Sequence, residues 1–172
     1  MKGTLYWITG LSGAGKTSIG SGFYQKLKRE KPNVVFLDGD VLRGVFGSTH
    51  GHSVEERKAL ALSYCNLCKM LTDQGIDVVC ATMSLFSEVH NLNRANVDNY
   101  FEIFVDCDMR ELVRRDQKGI YSRALRGEIS NVVGVDLSFD RPQNCDLVID
   151  NTTQDALEEK IDMILNLSSG NG

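Results

Sequence analysis

The chain of 172 residues is poor in proline, with only Pro32 and Pro142, and has no surplus of positive charge. Nineteen Lys and Arg face 23 Asp and Glu, a formal net charge of −4. A general nucleic-acid binder would carry a basic surplus or stripe, so that class is excluded. Long apolar runs are missing too: stretches such as Val132-Val133 and Val78-Val79-Cys80-Ala81 fall far short of a membrane span. The amino end, Met1 to Ile8, runs into a strand-like stretch without a signal-peptide pattern, and a cytoplasmic protein is expected. The five cysteines are odd in number, which argues against a disulfide framework. Cys65-x-x-Cys68 lies on a helical pattern with neither a second pair nor nearby histidines, and reads as two small apolar side chains. His50, His52 and His90 have no metal-ligand spacing.

Glycine is what the chain has in excess, 16 residues, four of them between Gly10 and Gly20. Apolar residues make up 42%, enough for a core, and the length fits one domain spanning 1–172. Strands are expected at Leu5–Thr9, Val34–Leu37, Ile76–Ala81, Phe101–Val105 and Leu147–Ile149. A helix from Lys16 to Arg29 places Ile19, Phe23 and Leu27 on one face. Ser53-Val54-Glu55-Glu56 has capping-box spacing before a helix that ends at Gly75. Thr152-Thr153-Gln154-Asp155 has the same spacing before a last helix through Leu157, Ile161 and Leu165. Strands alternating with amphipathic helices predict an α/β fold, a parallel sheet of about five strands with helices on both faces.

Gly10-Leu11-Ser12-Gly13-Ala14-Gly15-Lys16-Thr17 fits the pattern G-x-x-x-x-G-K-S/T without a departure. Glycines allow backbone N–H groups to turn inward around phosphate oxygens, and the following helix adds the positive end of its dipole. Lys16 would reach the β- and γ-phosphates of ATP, and the Thr17 hydroxyl would ligate Mg²⁺. A strand before the motif and a helix after it make a chance glycine-rich turn a poor rival, and a three-layer P-loop NTPase fold follows. The neighbouring Ser12, Ala14 and Ser18 join Gly10, Gly13 and Gly15 as phosphate-site candidates. The chain has no N-K-x-D guanine-reading motif, and its third strand ends Cys80-Ala81-Thr82 rather than in a Walker-B acid. A small-molecule kinase needs only two further parts: an acid near the acceptor hydroxyl and a basic lid.

Asp38-Gly39-Asp40 closes the second strand at the sheet edge where open parallel sheets bind ligands. One carboxylate could organise the metal and the other orient or deprotonate the acceptor hydroxyl, with the division open. Arg43 could clamp an acceptor phosphate or sulfate. Arg114 to Gly127 clusters Arg and Lys between glycines and is the candidate lid, within a segment of about 115–138. The rival for that charge run is a solvated helical face.

These parts together resemble the adenylylsulfate kinase family, which phosphorylates the ribose 3′-hydroxyl of adenosine 5′-phosphosulfate. The resemblance is carried by Gly10 to Thr17, by Leu37-Asp38-Gly39-Asp40 with Arg43, by Arg115-Asp116-Gln117-Lys118-Gly119-Ile120-Tyr121 and by Gly134-Val135-Asp136. It implies nucleotide contacts from Arg115 and Lys118, Arg123 less directly, and acceptor contacts from Asp40, Arg43, Arg57, Met83, Ser84 and Lys118. It also implies a homodimer. The departures lie where the family holds its acceptor. The family's D-G-D-N becomes Asp38-Gly39-Asp40-Val41, and its G-F-S-x-x-D-R-x-E-N becomes Gly51 to Leu60 with His52 for the phenylalanine. Its I-S-P loop is Met83-Ser84-Leu85, and its F-T-G is Val132-Val133-Gly134.

The family's two phenylalanines sandwich adenine, so His52 and Val132 should forfeit stacking of about 1–3 kcal/mol per face. A divergent relative, cytidine diphosphoramidate kinase of bacterial capsule pathways, has similar chemistry on a smaller pyrimidine. The reading is therefore an ATP- and Mg²⁺-dependent kinase acting on a nucleotide's ribose 3′-hydroxyl. The acceptor is adenosine 5′-phosphosulfate, as in sulfate assimilation, or alternatively cytidine diphosphoramidate. A non-catalytic nucleotide sensor is the rival from another class, and the paired acids and the lid speak against it.

Overall fold

A computed structural model of the chain describes residues 1–46 and 53–169. β1 (Thr4–Thr9) sends Leu5 and Trp7 to one face and Tyr6 and Ile8 to the other, all essentially without solvent exposure. A strand covered on both faces reads as a continuous apolar run, which is why Leu5 to Ile8 shows no polar alternation. β2 (Val34–Asp38), β3 (Asp77–Ala81), β4 (Asn99–Asp106) and β5 (Leu147–Asp150) complete a five-stranded sheet in the order β2-β3-β1-β4-β5. Every neighbouring pair is parallel.

α1 (Lys16–Glu30) and the last helix, α7 (Leu157–Ser169), pack together on one face of the sheet. α3 (Val54–Asp73) and α4 (Ser87–Asn96) pack on the other. Between them lie the short helices α2 (Gly39–Val45), α5 (Met109–Arg115) and α6 (Ile120–Leu125). The chain leaves β1 toward β2 on one side, whereas it leaves β3 across β1 toward β4 on the other. The loops at the carboxyl ends of β1 and β3 therefore part, and the crevice of an open α/β sheet opens there. None of the described helices is long and apolar enough to cross a membrane.

The Ser53 capping box forms as expected, with Ser53 Oγ accepting from the Glu56 amide at 3.2 Å and Glu56 Oε2 accepting from the Ser53 amide at 3.1 Å. The second expected box does not. The Thr152 hydroxyl accepts from the Asp108 amide at 3.1 Å instead, and α7 opens only after Ala156, whose φ is +53°. Tertiary partners took the hydroxyl that the spacing assigned to a cap. Cys65, Cys68 and Cys80 are buried free thiols between α3 and the sheet, as small apolar residues would be.

Gly20 and Gly22, unfavourable in a helix by propensity, have packing reasons. A β-carbon at Gly20 would lie 3.1 Å from the Phe36 ring, 3.3 Å from Ile8 Cδ1 and 3.4 Å from Ala81 Cβ. One at Gly22 would lie 2.4 Å from Ile161 Cδ1, so the bare helix surface is what lets α1 approach the sheet and α7. Gly20→Val should overpack this contact and lower stability by about 1–3 kcal/mol, read as a fall in the urea midpoint with an unchanged slope.

Candidate active site

The glycine-rich turn joins β1 to α1 at the crevice. Gly13 and Gly15 have φ values of +80° and +102°, where a side chain is strained, and a β-carbon at Gly15 would lie 2.3 Å from Asn151 Nδ2. Loop carbonyls are drawn to four side chains in succession. Leu11 O accepts from Lys16 Nζ at 2.8 Å, Ser12 O from Tyr121 OH at 2.7 Å, Gly13 O from Arg115 Nη1 at 3.3 Å and Ala14 O from Asn151 Nδ2 at 2.6 Å. With its carbonyls held in this way, the loop is set in one shape beside the start of α1, and Thr17 and Ser18 stand exposed at that start.

Desolvation pushes the Lys16 ammonium down to about 8, with the Lys118 charge adding to the shift and Asp40 and Asp38 opposing it. Both acids lie at the end of β2. Asp38 Oδ2 accepts from Thr17 Oγ1 at 2.7 Å, while its Oδ1 caps α2 by accepting from the Asp40 amide at 2.9 Å and the Val41 amide at 3.4 Å. Asp40 Oδ2 instead meets Lys118 Nζ at 2.5 Å. The structure thus separates two carboxylates that the sequence leaves interchangeable: Asp38 is built into the phosphate-loop side, and Asp40 faces the α5–α6 turn.

Of the lid candidates, Arg115 is 3% exposed at its side chain, and it lies under the loop rather than over it. Besides Gly13, its guanidinium donates to Asn151 O at 2.7 Å, Thr152 O at 2.8 Å and Glu111 Oε1 at 2.8 Å. The Glu111 carboxyl, bonded by Arg114 and Arg115, is held down at about 2. Lys118 is the lid charge that reaches across the crevice. Arg123 and Arg126 pair with Glu128 at 3.7 Å and 2.6 Å.

The acceptor candidates divide. Arg57 donates to Asn131 O at 2.7 Å, and burial with the nearby Arg43 charge lowers its pKa, so Arg43 and Arg57 bring two guanidinium groups together. Met83 is half-buried on the 82–86 loop after β3. Ser84 and Val132 are 5% and 6% exposed, so Ser84 turns its hydroxyl to Thr82 Oγ1 at 3.0 Å and Val132 packs into the core. The Val132 backbone is set by Asp136, which accepts from the Asn131 and Val132 amides at 2.6 Å each. His52 lies outside the described residues.

Sequence reasoning missed Asn151 as a loop support, and with it Lys160. The Lys160 ammonium is buried and donates to Asn151 Oδ1 at 2.9 Å, Thr153 O at 2.6 Å and Asp155 O at 2.8 Å. The available signal was position: Asn151 directly follows the last strand at the ligand-binding edge of the sheet. Among the described residues, no group of three or more His, Cys, Asp or Glu could hold a metal ion. The Thr17 hydroxyl and Asp38 carboxylate are hard oxygen donors of the kind that hold Mg²⁺ together with substrate phosphates, and they fit that ion.

A phosphate loop on the first strand of this sheet, with an acid pair and a basic segment across the crevice, defines an ATP-dependent phosphotransferase. Residues 2–150 match the model of the family described as adenylylsulphate kinase, and the chain belongs to that family. It is 47% identical over 161 residues to a cytidine diphosphoramidate kinase from Campylobacter jejuni, covering 94% of each chain. It is 36% identical over 151 residues to an adenylyl-sulfate kinase from Pseudomonas aeruginosa, covering 87% of this chain and 77% of that one. Among solved structures, APS kinase from Mycobacterium tuberculosis in complex with AMPPNP and APS superposes with a TM-score of 0.87 at 30% identity, covering 98% of both chains.

Arg115→Lys keeps a charge but loses the planar fork that spans three carbonyls and a carboxylate. Stability should fall by on the order of 3 kcal/mol. ATP affinity should fall with it, measured by thermal unfolding and by calorimetric titration.

Proposed function

We propose that this kinase transfers the γ-phosphoryl group of ATP to the ribose 3′-hydroxyl of cytidine diphosphoramidate. The observation that carries the reading is the 47% identity to a kinase of that name over 94% of both chains, against 36% for the adenylyl-sulfate kinase from Pseudomonas aeruginosa. The residues agree in direction: Val41, Leu60 and Val132 depart from the family pattern at the places implied to hold adenylylsulfate. Adenosine 5′-phosphosulfate is the second reading, favoured by the superposition on the complex that holds it.

In this mechanism the loop amides from Gly10 to Thr17 bind the triphosphate, and Lys16 exchanges Leu11 O for the β- and γ-phosphates. Thr17 and Asp38 hold Mg²⁺, which when bound neutralises charge on the phosphate oxygens. Asp40 releases Lys118 and accepts the hydrogen of the 3′-hydroxyl. The freed Lys118 then faces the transferring phosphoryl group, and Arg43 and Arg57 grip the acceptor's 5′ diphosphate-like end. The transition state is loose, so the rate comes from positioning and charge rather than covalent chemistry.

ADP release with ATP, Mg²⁺ and either cytidine diphosphoramidate or adenosine 5′-phosphosulfate decides the acceptor. Turnover should be high with the first and weak with the second; the reverse order would replace this reading by the second. Asp40→Asn should lower kcat by about 10²–10⁴ while ATP affinity is kept. Unchanged kcat would remove Asp40 from proton transfer.

A second expectation follows from Lys16, whose ammonium titrates near 8 in the free protein. Bound phosphates favour the charged form, so ATP binding should take up about half a proton at pH 8 and very little at pH 6.5, and ATP affinity should weaken as pH rises through 8. Calorimetric titration in buffers of different ionisation enthalpy measures the uptake, and Lys16→Met should abolish it.

A further inference from the structure

The mechanism leaves one buried polar cluster unused, the one around His90 on α4. The ring is 6% exposed, and its Nε2 lies 2.7 Å from the Ser84 carbonyl. A carbonyl only accepts, so Nε2 carries a proton. On its other side, Nδ1 faces Glu102 Oε1 at 3.2 Å. A carboxylate likewise only accepts, so the bond on this side needs a second proton, on Nδ1. Glu102, at the middle of β4 and 3% exposed, also accepts from Tyr100 OH at 3.2 Å and from Arg94 Nη2 at 3.4 Å. Arg94 in turn reaches Asp146 Oδ2 at 3.1 Å and lies over the Tyr100 ring. The imidazole is thus held from the rigid sheet and donates to one atom of a loop.

That loop is the wall of the crevice next to the acids. The Leu85 amide donates to Met83 O at 2.7 Å, closing a tight turn, and the Thr82 and Ser84 hydroxyls bond each other at 3.0 Å. A methyl group at Gly39, between the two acids, would lie 3.0 Å from Thr82 Oγ1. The start of the turn is therefore packed directly against Gly39, between the two acids. An apolar side chain at position 90 would fill the space without desolvating two ionisable groups; a satisfied polar network instead specifies one geometry.

We propose that His90, oriented by Glu102, is a positioning residue for acceptor binding: its Nε2–H fixes the Ser84 carbonyl and so sets the 82–86 turn against the acid pair. The proposal rests on the reading that this loop faces the acceptor nucleotide.

Three substitutions separate the two sides of the ring. The amide nitrogen of His90→Gln falls near Nε2 and keeps the bond to Ser84; that of His90→Asn falls near Nδ1 and keeps the bond to Glu102; His90→Ala keeps neither. The acceptor KM should rise about tenfold in His90→Ala and His90→Asn, the factor for a lost bond of about 1.4 kcal/mol, and return close to wild type in His90→Gln. The KM for ATP should be unchanged in all three. Amide hydrogen exchange across 83–86 should quicken in His90→Ala and His90→Asn and stay slow in His90→Gln. His90→Asn leaves Glu102 with a donor, so a folded variant is available if His90→Ala does not fold. Equal shifts in both KM values, or exchange that does not follow the Ser84 bond, would overturn the proposal. Exchange that follows it, in a protein whose wild type turns over neither acceptor, would overturn the acceptor reading and leave His90 as the latch of the turn.

Discussion

The phosphate loop is a stretch of glycine-rich backbone, and by itself it would sample many shapes. What holds it is the capture of four successive carbonyls, from Leu11 to Ala14, by Lys16, Tyr121, Arg115 and Asn151. Those donors come from α1, α6, α5 and the end of β5, so the loop is complete only when segments more than a hundred residues apart have docked. Conformational freedom at the glycines lets the loop curve around phosphate, and the four donors remove the entropy that this freedom would otherwise cost. Arg115 and Asn151 are themselves locked by Glu111 and Lys160, whereas Lys16 has the Leu11 carbonyl as its hydrogen-bond acceptor and can turn to phosphate without loosening them.

The same arrangement explains why two neighbouring acids are not equivalent. Asp38 is the N-cap of α2 and the partner of Thr17, so its position is set by backbone amides and by the first turn of α1. Asp40 is two residues further, in the first turn of α2, largely exposed, and has Lys118 as its partner across the crevice. A carboxylate in the first environment suits holding an ion in place; one in the second can change partners when the acceptor arrives.

What could be read from the sequence was what rests on local pattern. All five strands, α1 and the Ser53 cap follow from apolar runs, helical spacing and side-chain-to-backbone bonding within a few residues, as does the phosphate loop itself. What could not be read depends on distant partners. Arg115 looks like a surface lid charge in a basic run, yet the nearby Glu111 and the carbonyls of Asn151 and Thr152 draw it beneath the loop. Thr152 looks like a helix cap until Asp108 claims its hydroxyl, and Gly20 and Gly22 look like defects until the Phe36 and Ile161 side chains come into view. The short helices α2, α5 and α6 have too few turns for periodicity to register.

Nucleotide and acceptor sides are built by different means. The phosphate loop is shaped through its backbone carbonyls, which any residue carries, so what the sequence must specify besides the glycines and Lys16-Thr17 is the set of donors that capture them. On the proposed reading the acceptor would be met instead by side chains, Arg43 on α2 and Arg57 on α3, together with the Ser84 turn and the 131–136 segment fixed by Asp136. On that reading, acceptor contacts could change while the phosphate loop and the acid pair stay in place. Of the departures from the family pattern, Val41 is exposed on α2 whereas Leu60 and Val132 are buried in the core, and all three leave the four captured carbonyls and the acid pair intact.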